Sequence, residues 1–239
     1  MFKSQVMNVI ITGASRGIGK AIAQQFAANG HQLFLCSRNE EALNKTREEL
    51  LEAYPGAKIK VKARDLSNKE EVENFGQWIV DNGYPIDVLV NNAGYFLPGK
   101  VHQEPEGLME EMMSINFYSA YYLSRKIIPI MIRQKQGHIF NICSIASLKA
   151  YPNGGSYSVS KFALMGFSQN LREELKEHHI KVTAVVPGAV MTDSWGDFDN
   201  SNNRIMEPGD VAKMVYAASQ LSPQACVEDI VLRPQLGDL

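Results

Sequence analysis

One feature constrains this chain more than any other: strand-length apolar runs alternate with longer stretches in which apolar residues recur at helical spacing. The pattern predicts strands over residues 6–12, 32–37, 58–63, 87–91, 138–143, 182–186 and 228–232. Between them it predicts helices over 17–29, 40–53, 69–81, 107–133, 156–177 and 208–220. Right-handed crossovers turn such an order into one parallel sheet with helices on both faces. The strands are nearly continuous apolar runs, such as Val88-Leu89-Val90 and Ala184-Val185-Val186, as a sheet covered on both sides requires. The expected fold is therefore α/β, a single doubly wound domain with a seven-stranded parallel sheet. A length of 239 residues suits one large core over 1–239 and is short for two. Residues 189–207 stand apart. They are rich in Asp and Asn, carry Trp195 and Phe198, and are long for a structureless loop, so they are expected to form a substrate lid.

Charge excludes some functions. Lys and Arg total 24 against 26 Asp and Glu, and no basic excess favours nucleic acid or an anionic membrane surface, so neither is an expected partner. The most apolar helical stretch, near 120–132, contains Arg125, Lys126 and Pro129 and is too short and polar for a span. Residues 1–5 run into the first strand without a signal-peptide pattern, so a cytoplasmic protein is expected. Cys36, Cys143 and Cys226 are odd in number and lie in or beside apolar runs, which predicts buried, reduced thiols. The five histidines offer no ligand pair at a useful spacing, and no metal is expected.

The first strand ends in Thr12-Gly13-Ala14-Ser15-Arg16-Gly17-Ile18-Gly19. Glycines there permit a tight turn and a close backbone approach to a pyrophosphate. The helix that follows presents free N–H groups and the positive end of its dipole. In dinucleotide folds an acid on the second strand usually holds the ribose 2′-hydroxyl. Here that strand ends Cys36-Ser37-Arg38, without one. An arginine in that position suits a 2′-phosphate, and Arg16 is available to clamp the same group, so NADP(H) is the expected cofactor.

Further motifs follow in order: Asn91-Asn92-Ala93-Gly94 after the fourth strand, Asn116, Ser144, Tyr157, Lys161 and Pro187-Gly188. With the glycine turn, this set resembles the short-chain dehydrogenase/reductase family over almost the whole chain. The resemblance implies a single Rossmann-type domain and reversible hydride transfer between a nicotinamide cofactor and a carbonyl or alcohol. It implies Tyr157 as proton donor, Ser144 as hydrogen-bond donor to the substrate oxygen, and Lys161 on the nicotinamide ribose. Asn116 would anchor the water of a proton relay. Cofactor contacts are implied for Gly13, Ser15, Arg16, Gly17, Ile18, Gly19, Ser37 and Arg38, for Asp65-Leu66 at the adenine, and for Asn92, Ala93 and Gly94. Tyr157, Lys161, Pro187, Gly188, Val190 and Thr192 would lie towards the nicotinamide.

Chemistry supports the central pair independently. A free tyrosine, with a pKa of about 10, is a poor proton donor near neutral pH. A nearby ammonium should lower it, and a lysine four residues on shares its helix face. Tyr-x3-Lys occurs at Tyr54/Lys58, Tyr122/Lys126 and Tyr157/Lys161, but only Tyr157 follows a strand-end serine, Ser144. Pro55-Gly56 breaks the first pair.

The substrate is less legible. The opening turn is similar to that of 3-oxoacyl-[acyl-carrier-protein] reductases, and Lys135 and His178 match the two basic positions that dock an acidic carrier. The chain end, Val231 to Leu239, resembles the branch acting on small hydroxy acids and general carbonyls. Either a 3-oxoacyl thioester or a small carbonyl substrate fits. A non-catalytic dinucleotide sensor or scaffold is the alternative function. In the resembling family the fourth and fifth helices pair subunits. Aromatics on several sides of 107–133 (Phe117, Tyr118, Tyr121, Tyr122) accordingly lead us to expect a homodimer or homotetramer through those helices.

Overall fold

In strand β1 (Asn8–Thr12) every residue is buried, and successive side chains enter opposite cores. Val9 and Ile11 pack into one hydrophobic cluster and Ile10 into another, the period-two alternation of a strand covered on both faces. The computed structural model describes residues 6–238. Residues 1–5, read above as leading into the first strand, lie outside them, as does Leu239.

Six more strands follow: β2 (Gln32–Ser37), β3 (Lys58–Ala63), β4 (Val88–Asn91), β5 (Gly137–Ile142), β6 (Ile180–Pro187) and β7 (Asp229–Leu232). They form one parallel sheet in the order β3-β2-β1-β4-β5-β6-β7. The chain winds outward from β1 to β3, then returns to β4 on the other side of β1. The β1–β4 boundary is thus the switch point where a crevice opens at the strands' carboxyl ends.

The helices are α1 (Gly17–Ala28), α2 (Glu40–Ala53), α3 (Lys69–Asp81), α4 (Leu108–Met113), α5 (Ser119–Gln134), α6 (Gly155–Leu175) and α7 (Pro208–Ser219). Apolar residues of α1, α2 and α7 share one cluster with Val9 and Leu33. Those of α3, α5 and α6 share the other with Ile10 and Phe34. Asn39 and Asn68 cap α2 and α3 with their side chains, and each of those helices has two glutamates in its first turn.

Two expectations need correction. The helix predicted over 107–133 is three segments: α4, a π turn over Ser114–Tyr118, and α5. Cys36 and Cys143 are buried free thiols, but Cys226 is exposed, because it precedes the edge strand β7 in an open connection. The segment 189–207 has structure of its own. Val190 bridges Met206, and Met191 and Met206 exchange backbone bonds with Met206 and Ala189. Both ends of the segment are thereby tied together, with Val190 and Ile205 buried.

His138 on β5 yields a pH prediction. Its Nε2 lies 2.7 Å from Thr183 Oγ1, and that hydroxyl donates to Val227 O at 2.6 Å. Thr183 therefore accepts from an Nε2–H, which leaves Nδ1 deprotonated, buried and without a partner. Burial, aided by the Lys181 charge, pushes the imidazole down to about 3. The folded protein excludes a proton that the unfolded chain accepts below about 6.5, so stability is lost as pH falls from there towards 3. The slope for this group approaches 1.4 kcal/mol per pH unit at about this range's centre. Urea denaturation at pH 7 and pH 5 should show a stability drop that is about 2 kcal/mol smaller in His138→Gln. Equal drops in both proteins would show that His138 titrates freely in the fold.

Candidate active site

The glycine turn is built by contacts with β4. Asn92 Nδ2 donates to Thr12 O at 2.9 Å and Gly13 O at 3.1 Å. Thr12 Oγ1 accepts from the backbone N–H of Asn92 at 3.0 Å and of Ala93 at 2.9 Å. Gly13 has φ +63°, and a Cβ there would meet Asn92 Nδ2 at 2.8 Å. A Cβ on Gly19 would overlap the carbonyl oxygen of Gly13. The turn therefore accepts only glycine at both positions, for steric reasons the spacing had already suggested.

Helix α1 leaves this turn unlike α2 and α3. Arg16 at its N-cap makes no side-chain capping bond, and its first turn contains no acid. Its orphan N–H groups and positive dipole end face the crevice, the arrangement that receives a phosphate. A Cβ on Gly17, at φ +53°, would stand 3.2 Å from Thr192 Cγ2, so the chain on the other side of the crevice closes against bare backbone. These residues fit a dinucleotide.

At the end of β2, Ser37 Oγ and Ser15 Oγ lie 2.8 Å apart. Arg38 is exposed, and its charge reaches Tyr95. Arg16 Nη1 pairs at 3.1 Å with Asp193 Oδ2 of the 189–207 segment, and both side chains are largely exposed. Asp65 Oδ1 accepts from Ser67 N at 3.0 Å and Ser67 Oγ at 2.7 Å, while Leu66 is a core residue. Both follow β3, two strands out from the switch point.

The reactive group stands on β5, α6 and the π turn. Ser144 follows β5 in extended conformation, and its Oγ accepts from Ala146 N at 3.1 Å. Burial pushes the Tyr157 phenol up to about 12, against the opposing pull of the Ser144 hydroxyl and with a small further push from Tyr151. Burial brings the Lys161 ammonium down to about 8. Lys161 Nζ donates to Ile142 O at 2.8 Å and lies 5.9 Å from the Tyr157 ring centre. The expected lowering of the tyrosine by the lysine is thus not what this geometry produces. Burial is the largest cause, and Lys161, whose ammonium is turned towards a backbone carbonyl, is not among the groups that act on the phenol.

Asn116 sits inside the π turn and is buried. Its Oδ1 accepts from Tyr95 N at 2.9 Å, and its Nδ2 donates to Tyr95 O at 3.2 Å and Ser160 Oγ at 3.0 Å. A Cβ on Gly94 would meet Asn116 Oδ1 at 2.7 Å and Lys161 Nζ at 3.6 Å, so Gly94 lets these two groups share one space. On the far side, Gly188 N donates to Leu232 O at 2.7 Å just past Pro187, and Val190 is buried. Thr192 Oγ1 lies 2.7 Å from Ser194 Oγ.

The structure brings the sequence-derived residues to one edge of the sheet, with Asp65 and Leu66 at its periphery. Sequence reasoning missed Thr12 as the knot between β1 and β4, Ser160 as the partner of Asn116, and Phe96. The Phe96 ring stands edge-on to Tyr157 at 4.8 Å. Ser160 carried a signal, since it lies three residues past Tyr157 on the same helix. Phe96 carried none beyond its closeness to Gly94. Among the described residues no cluster of three or more His, Cys, Asp or Glu is placed to hold a metal, and no helix is long and apolar enough to cross a membrane.

Comparison with known proteins shows the family and the fold. The family model described as short chain dehydrogenase matches residues 7–203. A sepiapterin reductase of Chlorobaculum tepidum is 35% identical over 239 residues, covering 97% of each chain. Among solved structures, a metagenomic short-chain oxidoreductase in complex with NADP is 31% identical, with a TM-score of 0.84 over 96% of this chain and 97% of that one. An alcohol dehydrogenase from Thermococcus sibiricus complexed with 5-hydroxy-NADP is 26% identical, with a TM-score of 0.88 and 97% of both chains covered.

Proposed function

The chain belongs to the short-chain dehydrogenase family, and from that premise we propose that it is an NADPH-dependent reductase converting a ketone or aldehyde to an alcohol. The observation that carries this reading is the convergence of Ser144, Tyr157 and Lys161, in a fold whose α1 also presents a bare N-terminus. The cofactor, when bound, supplies the hydride. The Ser144 hydroxyl orients the substrate oxygen. Tyr157 delivers its proton as that oxygen gains charge. With the phenol pushed up to about 12 the proton is in place throughout the neutral range, and its transfer needs the growing charge on the substrate oxygen or a nearby ammonium to offset the burial. An ammonium has three N–H donors, and Lys161 spends one on Ile142 O, so two are free for ribose hydroxyls.

The 189–207 segment serves as the lid, with Trp195 and Phe198 packed at 5.2 Å. Phe96, with exposed Leu97 beside it in sequence, gives the substrate an apolar flank. Lys135 and His178 are both exposed, so an acidic carrier has access to them. A panel of acetoacetyl thioesters, diketones, aldehydes and keto acids decides between thioester and small carbonyl.

Tyr157→Phe should keep fold and cofactor binding and lower kcat for ketone reduction by about 10²–10⁴-fold. A variant retaining most of its kcat would remove Tyr157 from the acid role.

Arg38 and Arg16 assign the cofactor. An exposed ion pair such as Arg16–Asp193 is worth about 0–1 kcal/mol. A hydrogen bond to a phosphate is worth about 1.5–3 kcal/mol, so the 2′-phosphate outcompetes Asp193 for Arg16. We expect kcat/KM to favour NADPH over NADH by about 10- to 1000-fold, with the preference shrinking as salt rises. Arg38→Asp should reverse it. Equal kcat/KM for the two cofactors in the wild type would make both arginines plain surface residues.

Assembly follows from the α4–α5 and α6 surface. Phe117 and Tyr121 contact Phe167 of α6 at 5.9 and 5.5 Å, while Tyr118, Val159 and Phe162 remain exposed. A homodimer or homotetramer through these helices should sediment at a multiple of 26.6 kDa at micromolar concentration. A monomer mass would refute it.

A further inference from the structure

The loop after β4 holds an acid that the proposed reaction does not use. Helix α6, which carries Tyr157 and Lys161, has Gly154 at its N-cap, with no side-chain cap and no acid in its first turn. One of its orphan N–H groups, that of Ser156, is met instead by Glu104, 52 positions earlier. Glu104 Oε1 accepts from Ser156 N at 2.9 Å, and Glu104 Oε2 accepts from the Ser156 hydroxyl. Ser156 is buried.

The surrounding backbone is shaped to this carboxylate. A Cβ on Gly155, at φ +45°, would overlap Glu104 Oε1 and meet Gly99 O at 2.7 Å. A Cβ on Gly99 would meet Glu104 Oε1 at 2.7 Å. Gly99 N donates to Asn153 O at 3.0 Å, tying the loop to the residue before the N-cap of the helix. Both glycines therefore make room for the acid. The same loop carries Phe96, whose ring rests edge-on against Tyr157. The loop grips the first turn of α6 at two points, one residue apart.

We propose that Glu104 is a positioning residue. Its carboxylate replaces the missing N-cap of α6 and fixes the rotation of the turn that presents Tyr157. The proposal rests on the assignment of Tyr157 as the acid. A carboxylate at a helix N-terminus is favoured by both hydrogen bonding and the dipole, and its origin in the loop joins the loop's position to the helix's. Helices α2 and α3 are capped by their own preceding asparagines, so nothing comparable couples them to a distant segment.

The test uses the full-length protein, NADPH and a turned-over ketone. Glu104→Ala should lower kcat by about 10- to 100-fold through misplacement of Tyr157, with the KM for NADPH changed less than about twofold. Glu104→Gln keeps an acceptor for Ser156 N–H and a donor for its hydroxyl, and should recover kcat to within about threefold of the wild type. In the cofactor-free protein, hydrogen exchange of the Ser156 and Tyr157 amides should speed up in Glu104→Ala and return towards wild type in Glu104→Gln. An unchanged kcat in Glu104→Ala would overturn the positioning role. So would a parallel change in kcat, NADPH KM and melting temperature that Gln fails to rescue. If the wild type reduces no carbonyl, the assignment of Tyr157 fails and the positioning role with it. Exchange alone then judges the clasp, and unaltered exchange in Glu104→Ala overturns that too.

Discussion

The site depends on the hydrogen-bonded knot between Thr12 and Asn92. At the switch point β1 and β4 are adjacent strands whose continuations part, so their ends must be held by side chains beyond the last ladder bond. Thr12 Oγ1 accepts two backbone N–H groups from the β4 side and donates to Val90 O at 3.4 Å, while Asn92 returns two bonds to the β1 side. With the ends fixed, Gly13 is forced into its left-handed turn and Gly19 under the Gly13 carbonyl. The N-terminus of α1 is then aimed at the crevice. Moving outward from this knot, Gly94 brings Asn116 and Lys161 together, and Asn116 holds the backbone of Tyr95. The proposed cofactor cradle and the proposed catalytic group thus share a single anchor.

Burial sets the protonation logic of the reactive pair. Moving a phenol or an ammonium out of water penalises whichever form is charged. Tyr157 is therefore driven up and Lys161 down, which leaves the phenol a neutral donor and the amine near half-charge at about 8.

The fold was legible because its signals are local. Strand-length apolar runs, helical periodicity and a glycine turn each act over a few residues, and Val9, Ile10 and Ile11 declare a two-faced sheet by themselves. The spacing of Ser144, Tyr157 and Lys161 was legible for the same reason: a strand end and a helix face fix them. What was not legible arose from contacts across the sheet. The π turn has no sequence period. It exists where Asn116 gains three polar partners, on Tyr95 and Ser160, each worth about 1 kcal/mol net. Glu104 was invisible as a cap because a cap is normally sought next to its helix, and Cys226 was misread because an apolar neighbourhood in sequence is not burial in space. The pull of Lys161 on Tyr157 was argued from helix spacing alone, which specifies a shared face but says nothing about the carbonyl that claims the ammonium.

The same distinction explains why the two ends of the crevice differ in rigidity. The Tyr157 side is held by buried bonds: Lys161 to Ile142, Ser158 Oγ to Ala146 O at 2.9 Å, and Asn116 to Ser160. A buried polar bond is costly to break because the freed partner finds no water. The Arg16–Asp193 contact opposite is exposed on both sides, and water replaces either partner at little cost. The buried side carries the proposed catalytic groups, whose geometry matters to chemistry. The exposed side carries the segment proposed as the lid, so a phosphate that takes Arg16 from Asp193 breaks only a surface ion pair, whereas moving Tyr157 would disturb buried bonds.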